Sequence, residues 1–290
     1  MIALIVILCL VGIVAQNSAT AETLKVENAK DVVVYKEDGR FGGWPANHGM
    51  WHWGDEVLVG FSRGYYKNLG ERHHIDRDKP EQHWLARSLD GGKTWKTEDP
   101  QEKGMLIPQG EALHGTELPE MKPVPAKDCP GGIDFTNPNF AMTLRMSSAD
   151  TGESRFYYSY DRGHTWEGPF KLPLFGQKGI MARTDYIVNG KHDCMIFLTA
   201  AKENNEEGRV LCARTQDGGK TWKMLSFIGP EPEGFSIMPS TVRLSDTKLI
   251  CTTRRREGDN RWIDGYVSED NGETWEYIGK PVKDCGIGNP

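Results

Sequence analysis

Side chains able to do acid–base or recognition chemistry stand in four short clusters along this 290-residue chain. Trp44, Asn47 and His48 form the first. An indole can stack on a sugar face and an imidazole can act as a general base near neutral pH; a packed loop is the alternative use of the same residues. His73 and His74 form the second. A metal there would need a third ligand that the sequence does not place, so surface histidines are favoured and no metal is expected. Arg183 and Asp185 open a strand-like run, either as a substrate clamp or as a structural salt bridge. Arg254, Arg255 and Arg256 close another. Strand alternation sends Arg255 to the opposite face, so at most two of the three can share a site, and Arg256 reads as part of a solvated turn.

These clusters need a scaffold, and a repeat supplies one. The pattern S/T-x-D-x-G-x-T-W occurs at Ser88–Trp95, Ser159–Trp166, Thr215–Trp222 and Ser268–Trp275, with starts 71, 56 and 53 residues apart. A fixed motif at such spacing means one supersecondary unit stacked several times. Asp followed two residues later by Gly is turn chemistry: the carboxylate accepts backbone N–H groups and Gly takes φ > 0 freely. Thr-Trp favours a pleated strand, and a Trp at the same place in every unit predicts a ring wedged between neighbouring units. The spacing lacks the ligand set of a calcium loop. The Gly-Gly-Lys-Thr runs are not phosphate loops, because Arg87 and Arg214 stand where that motif needs Gly.

Strand-like runs precede each octapeptide: 32–36, 56–62 and 83–88; 139–146 and 155–160; 185–188, 194–200 and 209–215; 240–244, 248–254 and 262–268. A short segment after each Thr-Trp completes the unit. Short strands at this spacing, four to a unit, read as blades of a β-propeller, so the chain is expected to be all-β. Residues 101–133 are Pro- and Gly-rich and too long for a simple connection, which suggests an edge of the binding face.

Composition narrows the partners. A net charge of −6 argues against nucleic acid, which needs a basic face. The run Ile2–Ala15 followed by Ala19-Thr20-Ala21 reads as a secretion signal over 1–21, leaving 22–290 as one propeller domain. No later segment is apolar enough to span a membrane, so a secreted or periplasmic protein is expected. After signal removal five cysteines remain, without the spacing of a disulfide framework or zinc site, and buried thiols are expected. No cofactor is implied.

The four octapeptides resemble the Asp-box, or bacterial neuraminidase repeat, of sialidases and related propellers. The resemblance implies a six-bladed sialidase-like fold, of which this chain would carry four blades and the start of a fifth. It also implies an exo-glycosidase taking a terminal, acidic sugar from a glycan. Sialidases hold a substrate carboxylate with three arginines, through paired hydrogen bonds, and use a Tyr nucleophile. By this resemblance Asp76 or Asp78 would be the acid, Arg63 would line the pocket, and Arg254 would be the second arginine, with Arg183, Asp185, Trp44, Asn47 and His74 as further substrate contacts. The departures are specific: Gly43 holds the place of the first arginine, Pro239 that of the family Glu, and the Tyr and third arginine would lie beyond Pro290. Two alternatives therefore stand beside it: a non-catalytic glycan-binding propeller, and a lyase with His48 as base.

Overall fold

The computed structural model describes residues 29–70, 73–100, 125–148 and 150–286. The expected signal, residues 101–124 of the long segment, residues 71, 72 and 149, and the last four residues lie outside them. The chain divides into a unit of residues 1–31 and a unit of residues 32–290, and all of the strands among the described residues belong to the second.

Among the described residues four antiparallel sheets follow one another in chain order. The first contains β1 (Arg40–Gly43), β2 (Met50–Trp53), β3 (Glu56–Tyr65), β4 (Gln82–Ser88) and β5 (Lys96–Glu98). The second has β6 (Ala141–Met146), β7 (Ser154–Ser159) and β8 (Glu167–Lys171). The third has β9 (Ile180–Met181), β10 (Tyr186–Gly190), β11 (Asp193–Ala201), β12 (Glu207–Thr215) and β13 (Lys223–Phe227). The fourth has β14 (Phe235–Arg243), β15 (Leu249–Glu257), β16 (Asn260–Ser268) and β17 (Glu276–Val282). These are four blades of a β-propeller. Most of the strand-like runs fall on strands. Residues 32–36 do not; the first inner strand instead begins at Arg40. The second blade has three strands among the described residues.

Inner strands carry the main departure from regularity. β1 and β2 both pair with β3, at Gly43↔Ser62 and Met50↔Val59. They are two halves of one inner strand, parted by the helical turn α1 (Pro45–His48). β9 and β10 likewise both pair with β11 and are parted by residues 182–185. β14 stays continuous but shifts register between Ile237 and Ser240. Two of these breaks turn on a bulky residue in the left-handed region, Trp44 at φ 57° and Met238 at φ 54°. Such residues carry local strain and concentrate at functional sites.

The octapeptides close the turn between the last two strands of every blade, and their side chains repeat one hydrogen-bond set. In blade two, Ser159 donates to Asp161 Oδ1 at 2.7 Å, and the Thr165 amide and hydroxyl donate to Asp161 at 2.8 and 2.6 Å. The Gly163 amide donates to Ser159 Oγ at 2.8 Å. The Trp rings then bridge blades. Trp166 meets Trp51 of blade one, Trp222 meets Phe156 of blade two, and Trp275 meets Phe197 of blade three, at centroid distances of 5.6, 5.9 and 6.3 Å. The largest apolar core fills the space between blades two and three, with Phe156, Leu144, Ile196 and Leu211 fully buried.

The long segment needs a correction in its described part. The Gly132 and Ile133 amides donate to the carbonyls of Asp217 and Gly218, so this stretch packs on the third octapeptide and not at the hub. Cys129, Cys194, Cys212 and Cys251 are buried free thiols. No helix among the described residues is long and apolar enough to cross a membrane.

Candidate active site

The breaks in the inner strands converge on the hub. Asn47 and His48 sit in the first break and Arg183 and Thr184 in the second. The Asn47 side-chain carbonyl accepts from Arg183 Nε at 3.1 Å, and its main-chain carbonyl accepts from Arg145 Nη1 at 3.2 Å. The His48 carbonyl accepts from the hydroxyls of Thr143 and Thr184, both at 2.8 Å. One helical turn of blade one is thus tied to β6 of blade two and to the second break in blade three. Gly60 permits the approach: a Cβ there would lie 2.6 Å from His48 Cβ.

His48 is 1% exposed. Its Nε2 lies 3.0 Å from Ser62 Oγ, and its Nδ1 lies 3.0 Å from His83 Nδ1. Arg145 Nη2 stands 2.8 Å from that same His83 nitrogen. Arginine only donates, so His83 Nδ1 accepts. His48 Nδ1 then carries the proton between the rings. Glu81, buried beside Ser62 and facing Arg145 and Arg77, supplies the acidic counterpart. Burial pushes its carboxyl up, against the hydrogen bond from Ser62 and the two arginines. The enclosed His48 is consumed in this network, which corrects the expectation that it acts as a base on substrate.

Two other expected contacts are also spoken for. Arg63 donates to both Glu37 carboxylate oxygens, at 2.6 Å and 3.0 Å, to Tyr35 at 3.0 Å and to Gln82 at 3.1 Å, while its guanidinium lies 4.3 Å from the Trp84 ring centre. Arg183 forks onto both oxygens of Glu207. Neither guanidinium is open for a substrate carboxylate. Asp76 sits 3.3 Å from Lys67 and 3.8 Å from Lys79. Partial burial pushes its pKa up, but the Asp78 amide and Lys67 outweigh that and hold it below the usual range. A carboxylate held ionised is a poor proton donor. Asp78 stands in solvent with its side chain 84% exposed, beside Lys67. His74 accepts from the Leu69 amide at 3.1 Å and stacks near Tyr66. Trp44 is half-buried, with the Arg77 guanidinium over its ring at 4.8 Å and His73 against its edge. Arg254 lies over Phe235 and beside Met238, and burial lowers its pKa, aided by the charges of Arg261 and Arg183.

Asp185 is different. It is half-buried at the second break, and Thr241 Oγ1 donates to its Oδ2 at 2.9 Å. No ion pair reaches it among the described residues. Burial pushes its pKa up to about 7, against the Thr241 hydrogen bonds. Its remaining exposure opens into two clefts. One, of about 450 Å³, lies between the three inner strands and includes Pro45, Arg183, Asp185, Met238 and Ser240. The other, of about 380 Å³, lies toward the octapeptide end and includes Trp51, Trp53, Phe140, Asp185 and Tyr186. Among the described residues no group of three His, Cys, Asp or Glu could hold a metal ion.

Sequence reasoning missed Ser62, Glu81, His83, Arg145 and Glu207. Arg145 carried a usable signal, as a lone cation in the apolar strand Ala141–Met146; a buried charge must be paired. His83 shares strand parity with buried Leu85, which places it inward.

A family model described as a BNR repeat-like domain matches residues 135–284, just over half of the chain. No curated protein matches it. Among solved structures, a protein of unknown function from Dyadobacter fermentans is similar at 16% identity, over 85% of this chain and 66% of its own, with a TM-score of 0.56. This chain therefore spans just under two thirds of that protein's length. An α-L-arabinofuranosidase of Fusarium graminearum, bound to an iminosugar inhibitor, aligns at 14% identity over 84% and 72% with a TM-score of 0.47. An α-L-arabinanase of Penicillium chrysogenum, bound to arabinobiose, aligns at 12% over 78% and 65%, also at 0.47. The four repeated turns, the four blades and the family match agree: the chain belongs to the BNR repeat-like family of sialidase-like β-propellers.

Proposed function

We propose that this protein is a glycan-acting hydrolase, an exo-glycosidase working at the propeller hub with Asp185 as its proton donor. The observation that carries the reading is the Asp185 carboxyl, held protonated up to about pH 7 on the wall of the hub cleft. A general acid works best when its pKa lies near the working pH. In the reaction, water attacks the anomeric carbon as the glycosidic C–O bond breaks. Asp185 gives its proton to the leaving oxygen, and the proton released by the attacking water passes to bulk solvent. The pairing of Arg63 and Arg183 inside the protein favours a neutral terminal sugar over sialic acid. The lyase alternative loses its base with the enclosure of His48.

On this reading the hub is completed by further blades, six in all, and the protein is exported. Support for more blades comes from the outer side of blade four, where Val242, Leu244, Tyr277 and Ile278 are exposed. The test is turnover of the full chain on sialyllactose, uronic-acid-capped oligosaccharides, neutral pentose and hexose disaccharides, and nitrophenyl glycosides of the same sugars. Activity is expected on neutral sugars, falling as pH rises through about 7, with Asp185→Asn slower by about 10²–10⁴-fold. Wild-type turnover by Asp185→Asn removes the acid assignment; binding without turnover makes the protein a glycan-binding propeller.

A further inference from the structure

Asp185, Thr184 and Met50 line both clefts of the hub. The two spaces therefore adjoin at the carboxyl assigned above as proton donor, and they differ in character. The cleft toward blade four is walled by Pro45, Met238 and Ser240, with Arg183 at its side. The cleft toward the octapeptide end is walled by aromatic rings. Trp51 is fixed there by a hydrogen bond from its Nε1 to Tyr186 Oη at 3.2 Å and by contact with Trp166. Phe140 packs edge-on against Tyr186 at 6.1 Å. Trp53 is half-buried, with the Arg162 guanidinium 6.0 Å from its ring centre, and His52 is exposed, so part of the indole and one imidazole remain accessible in this cleft.

We infer that the aromatic cleft is a second sugar subsite, holding the leaving-group sugar of an oligosaccharide whose scissile bond lies at Asp185. Its size suits one sugar ring: the volume of about 380 Å³ sits at the lower end of the range for small-ligand pockets, about 300–1,000 Å³. Its chemistry suits a sugar better than an apolar ligand. Aromatic faces meet the C–H side of a ring, while Asp185, Thr184 and His52 offer partners to its hydroxyls. The rings are held before any ligand arrives, which lowers the ordering cost of binding. The inference rests on the hydrolase reading for the direction of the glycan, but the site itself does not require turnover.

The test separates the two. Trp53→Ala, Trp53→Phe and His52→Ala are compared with wild type on a disaccharide and on the nitrophenyl glycoside of the same terminal sugar. The phenyl variant and the exposed-histidine variant keep the experiment informative if Trp53→Ala fails to fold. Binding of the disaccharide is measured by calorimetry in an Asp185→Asn background. A leaving-group subsite makes kcat/KM for the disaccharide fall at least tenfold further than for the nitrophenyl glycoside in Trp53→Ala, and less in Trp53→Phe. Equal losses on both substrates overturn the subsite and leave the hydrolase intact. No turnover, with disaccharide affinity at least tenfold weaker on loss of Trp53, keeps the subsite and removes the hydrolase. Neither turnover nor binding that depends on Trp53 removes both.

Discussion

The two ends of the blades follow opposite rules. At the octapeptide end the same Ser/Thr, Asp, Gly and Thr make the same bonds four times: the Thr amide and hydroxyl donate to the Asp at 2.9 and 2.6 Å in blade one, and at 2.9 and 2.5 Å in blade four. At the hub no two inner strands are alike. One is cut by a helical turn, one by residues 182–185, and one shifts register at Met238. Repetition at one end holds blades together; irregularity at the other frees side chains from the ladder and points them at one another. Stability is expected to reside in the first region and activity in the second, and the variants below are chosen to break that division.

The largest effect belongs to the hub. Asp185→Asn is expected to cost about 10²–10⁴ in turnover while making the protein more stable at alkaline pH. Its folded-state pKa of about 7 is raised above the ordinary 3.8. The associated stability is therefore full below about pH 4 and lost as pH rises through 7. Asn does not ionise, so its melting temperature should exceed wild type by a few degrees at pH 8 and match it near pH 4. A variant that is both inactive and less stable at pH 8 would place Asp185 among structural residues.

Next comes the wedge between blades. Trp222→Ala removes the ring that meets Phe156 edge-on at 5.9 Å beside the core of blades two and three. A loss of about 3 kcal/mol is expected, seen as a lower urea midpoint, with specific activity of the folded fraction kept. Loss of activity without loss of stability would erase the contrast between the two ends.

Much of this contrast could be read in advance at one end only. The octapeptides, their turn chemistry and the inter-blade role of Trp166, Trp222 and Trp275 follow from local physics, because Asp, Gly and Thr act within four residues of one another. The hub does not work that way. The resemblance puts Arg63 at the pocket, yet its partners are Glu37 and Tyr35, which precede it by 26 and 28 residues. The partner of Arg183 lies 24 residues on, and the ring that meets His48 lies 35 residues on. Asp185 was found as half of an Arg–Asp pair, but Arg183 turned to Glu207, and this left Asp185 without a cation in a buried setting. Side-chain pairing between strands at the hub has no period, so no pattern in the chain announces it.

A smaller effect tests the turns. Asp161→Ala removes the acceptor of the Ser159 hydroxyl and of the Thr165 amide and hydroxyl, at a cost of about 2 kcal/mol. Burial pushes the Asp161 pKa up, but the Thr165 and Ser159 bonds hold it below the ordinary 3.8. Its contribution is thus present above about pH 4 and lost as pH falls through the lower folded value. The urea midpoints of wild type and variant should converge as pH drops from 6 toward 3; a constant gap would mean that the carboxylate charge is not what holds the turn.

The smallest effect sharpens the division most, because it concerns a residue that the resemblance puts at the substrate. Arg63→Lys loses the forked contact with Glu37 and the flat stacking on Trp84, which an ammonium cannot reproduce. The partner carboxylate is 42% exposed, so solvent screens the pair and the expected cost is at most about 1 kcal/mol. Turnover should change less than twofold on neutral and acidic glycans alike. If Arg63 gripped a substrate carboxylate, the same change would remove a paired hydrogen bond to an anion and raise KM selectively for acidic glycans, by about tenfold or more. The ratio of KM on sialyllactose to KM on a neutral disaccharide therefore decides between a guanidinium that holds Glu37 and one that leaves it for a ligand.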